Sequence, residues 1–262
     1  MPEVPEVETV VRSVRAHLVG KRIVEVSLTS RHVTPGNRTT VAKRLAGRTI
    51  QSVTRRGKFI QIALDEGFLT VHLGMTGKLL TKGSIETHTY GVFTLDEGTL
   101  LYHDPRQFGT IEWSAKVSPR VARLGPEPLE ITLDEFRQRM KRKTRMKSLL
   151  LNQTFLAGVG NIYADESLFA AGIHPLASAE KLSKARVEKL YAAIRGILAH
   201  SIELGGSSIS DYVDAEGKKG WFQVEHRVYG RDGQACPQCG GPIKKTLVAQ
   251  RGTHYCPRCQ KR

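Results

Sequence analysis

Val7, Val10, Val11, Val14 and Leu18 recur at spacings of three and four, the stripe of an amphipathic helix, and Gly20 stops it. A different rhythm follows. Arg22 to Thr29, Thr49 to Leu64, Phe68 to Leu73, Tyr90 to Leu95, Leu100 to His103 and Thr110 to Trp113 are short runs rich in Val, Ile, Thr and Phe. Gly, Asp-Glu-Gly and Pro punctuate them, so they read as strands of a sandwich or barrel. The segment Leu124-Gly-Pro-Glu-Pro-Leu129 opposes helix and reads as a linker. Helical spacing resumes near Leu133 and runs, with breaks, to about Leu204. Gly205-Gly-Ser-Ser208 opens a polar loop, and the chain from Arg227 is rich in Cys and Gly. The pattern therefore predicts helix, β region, linker, helical region, loop and cysteine tail.

Composition changes this picture at one point. The 262 residues are 40% hydrophobic and 25% charged, ordinary for a globular protein, but the formal net charge is +15 and the pI is near 9.9. Such a surface attracts a polyanion, nucleic acid first and an anionic membrane surface second. No apolar run approaches the roughly 18 residues a membrane helix needs. The N-terminus is acidic and lacks an apolar signal core, so secretion is not expected. All four cysteines lie in the last 27 residues, which disfavours a disulfide-scaffolded secreted domain.

Those cysteines form two C-x-x-C pairs, Cys236/Cys239 and Cys256/Cys259, 16 residues apart. Four thiolates at this spacing close a tetrahedral Zn²⁺ site with no open position, a structural rather than catalytic metal. Two disulfides or a rubredoxin-type iron site use the same spacing. Arg137 to Lys147 holds seven cations in eleven residues, either a solvated helix face or a phosphate-binding one. Leu149 to Leu156 is apolar and runs into Ala157-Gly-Val-Gly160, so Asn161 either caps or begins the next helix. Such a turn serves as a packing corner or as a phosphate cradle. At the other end, removal of Met1 leaves Pro2 with a secondary amine of pKa near 8. That amine can attack a sugar C1′ and form an iminium, with Glu3 and Glu6 beside it for proton transfer. Pro and acids also simply start helices.

Taken together these residues resemble the family of bacterial formamidopyrimidine-DNA glycosylases, which includes endonuclease VIII. The resemblance spans the chain through Met1-Pro-Glu-Val-Pro-Glu-Val-Glu-Thr9, Arg55-Arg-Gly-Lys-Phe59, His72-Leu-Gly-Met-Thr-Gly77, Asp104-Pro-Arg-Gln-Phe-Gly109, Gly158-Val-Gly-Asn-Ile-Tyr-Ala-Asp-Glu166, Val228-Tyr-Gly-Arg231 and the cysteine tail. It implies an α+β fold of two lobes. An N-terminal β-sandwich with flanking helices (1–124) precedes a linker (125–130), a helix–two-turns–helix domain (131–226) and a C-terminal zinc finger or hairpin (227–262), with duplex DNA in the cleft between lobes. By the same resemblance Pro2 matches the Schiff-base nucleophile, Glu3 the acid/base, Lys58 a lysine serving β-elimination and Arg251 a phosphate-binding arginine of δ-elimination. His88, Arg142, Lys147 and Asn161 match DNA-contacting positions. Met75, Arg106 and Phe108 match the triad that fills the gap left by an everted nucleotide, and the glycines around them place them on exposed loop tips. Gln107 stands where a second Arg is common. The loop Ser207 to Gly220 is expected to fold over the everted base.

The function so implied is base-excision repair by a bifunctional glycosylase and abasic-site lyase. It removes oxidised purines such as 8-oxoguanine and formamidopyrimidines, followed by β,δ-elimination. One structural Zn²⁺ is the cofactor and lesion-bearing duplex DNA the partner. A monomer in the bacterial cytoplasm, nucleoid-associated and without membrane contact, is expected. The alternatives are an oxidised-pyrimidine enzyme of the endonuclease VIII type and a non-catalytic zinc-containing nucleic-acid-binding protein. A basic membrane-surface or ribosomal-type protein is a further one.

Overall fold

A computed structural model describes residues 1–209 and 211–262. The chain forms two compact units, one made of Met1–Arg123 with Leu204–Trp221 and the other of Leu124–Glu203 with Phe222–Arg262. The first unit opens with α1 (Val4–Leu18), whose stripe Val7, Val10, Val11, Val14 and Leu18 is fully buried. A 15-residue helix is marginal alone in water. Burial of each such side chain contributes about 1.5–3 kcal/mol, so docking, not propensity, holds it.

β1 (Ile23–Leu28) follows, then α2 (Arg38–Leu45). The strand pattern read over Thr49 to Leu64 is a hairpin, β2 (Ile50–Arg56) and β3 (Phe59–Leu64), with Arg56 paired to Phe59 across a two-residue turn. Gly57 sits there at φ +57°, the first turn position at which a tight hairpin requires a left-handed residue. Next come β4 (Phe68–His72), β5 (Lys78–Leu80), β6 (Thr89–Leu95), β7 (Thr99–His103), β8 (Thr110–Ser114) and the short α3 (Pro119–Ala122).

The strands make two antiparallel four-stranded sheets, ordered β1-β6-β7-β5 and β2-β3-β4-β8. Their inner faces and α1 share one core containing Ile60, Ile62, Val71, Phe93, Tyr102 and Ile111. Three connections cross from sheet to sheet: β1 to β2 by way of α2, and the shorter loops β4 to β5 and β7 to β8. The returning segment 204–221 joins this unit. Ala215 lies in the core, its N–H donates to Ser13 Oγ (3.1 Å) and its carbonyl accepts from Thr81 N–H (3.1 Å).

The second unit holds α4 (Leu133–Arg139), α5 (Met146–Leu151), α6 (Asn161–Ala171) and α7 (Lys184–Glu203), then the hairpin β9 (Lys244–Val248) and β10 (Arg251–Tyr255). α5, the turns of 152–160 and α6 are the helix–two-turns–helix. The cation run 137–147 is not one helix: α4 ends at Arg139 and α5 starts at Met146. The α+β class, the sandwich, the helix–two-turns–helix and the terminal cysteine hairpin stand as the sequence implies.

Candidate functional site

In the first unit the chemistry gathers at the start of α1. Pro2, Glu3 and Glu6 are buried. Glu6 stands at the third helical position, and its Oε2 accepts the backbone N–H of Glu3 (2.8 Å), half of a capping box. Its Oε1 accepts the N–H of Ser207 (2.7 Å), and its carbonyl accepts the Tyr212 hydroxyl (3.1 Å). Both carboxyl oxygens of Glu6 are thus committed to backbone donors, so it serves as a fastener of the 204–221 segment rather than as a free proton carrier. Ser210 of the expected covering loop lies outside the described residues. Lys58, second in the β2–β3 turn, is only 6% exposed. Arg55 links that turn to α1: its Nε donates to Glu8 (3.1 Å) and its Nη1 to the Gly57 carbonyl (3.1 Å). Burial opposes ionisation of Glu8, yet Arg12 and Arg55 hold its carboxyl below the ordinary value.

The β4–β5 and β7–β8 loops carry the expected triad. Met75 is 43% and Phe108 55% exposed, whereas Leu73 at the base of the Met75 loop is buried. Exposed Arg106 lies over the Phe108 ring at 4.7 Å, a cation–π contact. Gln107 between them has φ +52°, a conformation costly for a residue with a Cβ. The Ser30 hydroxyl donates to its Oε1 (2.5 Å). At the base of the Met75 loop His72 Nδ1 accepts the Gly74 N–H (3.1 Å). Burial, then the charges of Arg120 and Lys58, push His72 down to about 4, so this acceptor stays unprotonated near neutral pH. His88 is half-buried, ring to ring with Tyr90 and His103.

The second unit assembles Asn161, Lys147 and the Arg251 hairpin. Asn161 begins α6, after Gly160 as cap. Its Nδ2 donates to the Gly252 carbonyl (2.9 Å), beside Arg251. Lys147, expected to touch DNA, is fully buried. It donates to the Asn161 carbonyl (2.9 Å) and pairs with Asp165 Oδ1 (2.6 Å). Asp165 Oδ2 accepts the backbone N–H of His254 on β10 (2.9 Å). Glu166 next to it accepts N–H groups of Arg227, Val228 and Tyr229 (2.8–3.0 Å), and burial raises its carboxyl against them. Arg251 is exposed and follows a two-residue turn, Ala249-Gln250, with φ +50° and +59°. Asn-Gly is the usual occupant of such a turn. Gln107, Ala249 and Gln250 are the non-glycine residues with left-handed backbone among those described. Gln107 and Gln250 adjoin an expected DNA-contacting or catalytic side chain, where such strain concentrates, and Ala249 is two residues from Arg251. Arg142 is exposed on the 140–145 loop, apart from this network.

The four cysteine sulfurs lie within 4.8 Å of one another. Cys236 to Cys259 is 3.8 Å and Cys239 to Cys256 3.5 Å, matching the roughly 3.8 Å edge of a ZnS₄ tetrahedron with 2.3 Å bonds. All four are free thiols, so the disulfide alternative is excluded and the set fits one structural Zn²⁺. Cys236 and Cys256 pack on Phe169 of α6 with Val228 and Ile243. At the C-terminal end of α6, Lys261 N–H donates to Gly172 O (3.0 Å) and Gln260 Nε2 to Ile173 O (2.8 Å).

Three family profiles tile the chain: the formamidopyrimidine-DNA glycosylase N-terminal domain over residues 1–111, its H2TH domain over 124–213, and the zinc finger found in FPG and IleRS over 233–262. A formamidopyrimidine-DNA glycosylase of Solibacter usitatus is 56% identical over the whole of both chains. The chain belongs to the formamidopyrimidine-DNA glycosylase family. Among solved members, the Thermus thermophilus MutM (Fpg) protein is 42% identical, with TM-score 0.90 over 99% of this chain and 98% of that one. Lactococcus lactis Fpg, solved with DNA containing N7-benzyl-Fapy-dG, is 37% identical, with TM-score 0.90 over all of both chains. These are DNA glycosylases, and the chain is a member of that enzyme class. Several residues of this member escaped the sequence. Glu6 was visible as an acid near Pro2, but its partners Ser207 and Tyr212 lie some two hundred positions away. Asp104 and Asp165 stand inside quoted motifs, where only burial distinguishes them from surface acids.

Proposed function

We propose that this chain excises oxidised purines from duplex DNA and cuts the strand at the resulting abasic site. The observation that carries the reading is the join of Pro2 and buried Glu3 in the same unit as two exposed apolar loop tips. A nucleophile for C1′ and a wedge that holds a nucleotide out of the stack are the two things such chemistry needs. Solved relatives bind DNA with N7-benzyl-Fapy-dG or an abasic site, which supports the substrate class.

In this reading the Pro2 nitrogen attacks C1′ as the bond to the damaged base breaks, with Glu3 protonating the sugar ring oxygen. The resulting iminium acidifies the C2′ proton. Its loss, assisted by Lys58, expels the 3′ phosphate, and a second elimination expels the 5′ phosphate with Arg251 holding it. Met75, Arg106 and Phe108 fill the gap. His88, Arg142 and Asn161 grip the DNA, and Lys147 acts by holding Asn161. The 207–220 loop covers the base, residues 125–130 link the lobes, and the enzyme works as a monomer. The zinc is structural and supplies no chemistry to the reaction.

Pro2 must first be freed of Met1, because an acylated nitrogen has no lone pair for attack. Borohydride reduction during reaction with abasic-site DNA is expected to yield a covalent adduct of the Met1-free chain, checked by intact mass, and none from a Pro2-blocked chain. Full activity with a blocked N-terminus removes Pro2 as nucleophile.

A further inference from the structure

Asp104 is fully buried directly after β7 (Thr99–His103), where the β4–β5 and β7–β8 loops leave the sandwich. Its Oδ1 accepts the Thr76 hydroxyl (2.6 Å), next to Met75. Its Oδ2 accepts the N–H of Gly109 (2.9 Å), next to Phe108. The Asp104 carbonyl accepts the N–H of Gln107 (3.1 Å), stabilising the left-handed residue, and its own N–H donates to the carbonyl of His88 (3.0 Å). One side chain therefore ties the two wedge-bearing loops together, and its backbone ties them to His88.

The surroundings leave the tie no slack. The Tyr102 ring is fully buried, and its hydroxyl lies 3.3 Å from the His72 carbonyl and 3.4 Å from Asp104 Oδ2. A Cβ on Gly109 would collide with that hydroxyl and with the His72 carbonyl, and one on Gly74 with the Phe108–Gly109 backbone. Loop backbones in such contact cannot move separately, since packed interiors transmit displacement. A wedge inserted into stacked bases meets a restoring force of a few kcal/mol per step. Two loops that yielded independently would fold back under it.

We infer that Asp104, with Thr76, is a positioning residue that locks Met75 and Phe108 into one rigid wedge, so that eversion of the lesion depends on a carboxyl that never touches DNA. The inference rests on the wedge role proposed above. The test compares wild type, Thr76→Val, Thr76→Ser and Asp104→Ala at equal folded fraction, verified by circular dichroism. Thr76→Val keeps shape and removes only the hydroxyl bond to Asp104. Excision of 8-oxoguanine from duplex should fall on the order of tenfold, the scale of one hydrogen bond to a charged group. So should the rise in fluorescence of 2-aminopurine placed beside the lesion. Cleavage of a preformed abasic site in single-stranded DNA, which needs no wedge, should stay within about twofold. Thr76→Ser should restore excision, and Asp104→Ala, which removes both side-chain ties, should show the same split as Thr76→Val. Undiminished excision in Thr76→Val and Asp104→Ala, or parallel loss of excision and abasic cleavage, overturns the brace. Inactivity of wild type on both substrates instead removes the function on which it rests.

Discussion

At the scale of single residues, Lys147 shows how burial reassigns a charge. It belongs to a cation-rich run that reads as a phosphate grip, yet it is fully buried against Asp165 and the Asn161 carbonyl. Removing one partner of a buried pair strands the other charge, at a cost of about 3–5 kcal/mol. Lys147→Met should therefore lower stability by about that amount, read from the urea midpoint. In the double variant with Asp165→Asn the stranded charge is gone, and the new amide oxygen still accepts the His254 N–H, so most of the loss should return. DNA binding by Lys147→Met should weaken through displacement of Asn161, without any change in salt dependence. Unchanged stability with a flatter salt slope would instead make Lys147 a direct phosphate contact.

At the scale of elements, the zinc hairpin is fastened to α6 at both ends. Asn161 and Asp165 hold β10 near one end, and Gly172 and Ile173 hold the last residues at the other. Cys239→Ser, or chelation, should loosen the hairpin and misplace Arg251, since structural zinc sites supply folding energy directly. DNA binding should fall several-fold while the sandwich keeps its melting transition, followed by calorimetry, with about one zinc lost per chain. A chain that binds DNA undiminished without zinc defeats this. The hairpin was also the most legible element, because metal-ligand spacing is a local signal. The α1 stripe and most strands were equally plain. Missed elements had weak periodicity: α2 offers only Val41 and Leu45 on its apolar side and is marked chiefly by the Asn37 cap on Thr40 N–H (3.0 Å). The β2–β3 turn at Gly57-Lys58 hid inside a continuous β pattern. At the site, the sequence displayed Pro2, the exposed triad and the cysteines, each within a short motif. It hid Asp104, Asp165 and the second bond of Glu6, whose roles depend on contacts between loops and strands distant along the chain.

At the scale of the whole molecule, a net charge of +15 guarantees attraction to DNA but not selectivity, because phosphate contacts carry no sequence or lesion information. In the proposed function two classes of exposed residue separate these tasks. Arg142 and Arg251 present charge, whereas Met75 and Phe108 present apolar surface on braced loops. Each phosphate neutralised adds about −0.9 to the slope of log affinity against log salt. Arg142→Ala should weaken binding to lesion and undamaged duplex about equally and flatten that slope by about one. Met75→Ala and Phe108→Ala remove no charge, so the slope should hold while lesion binding and excision decline. Both classes are measured in one titration series, fluorescence anisotropy across a range of salt, so absolute affinity cancels from the comparison. Should the wedge variants flatten the slope while Arg142→Ala leaves it unchanged, the apolar tips would be holding the backbone in place and the division of grip from wedge would be wrong.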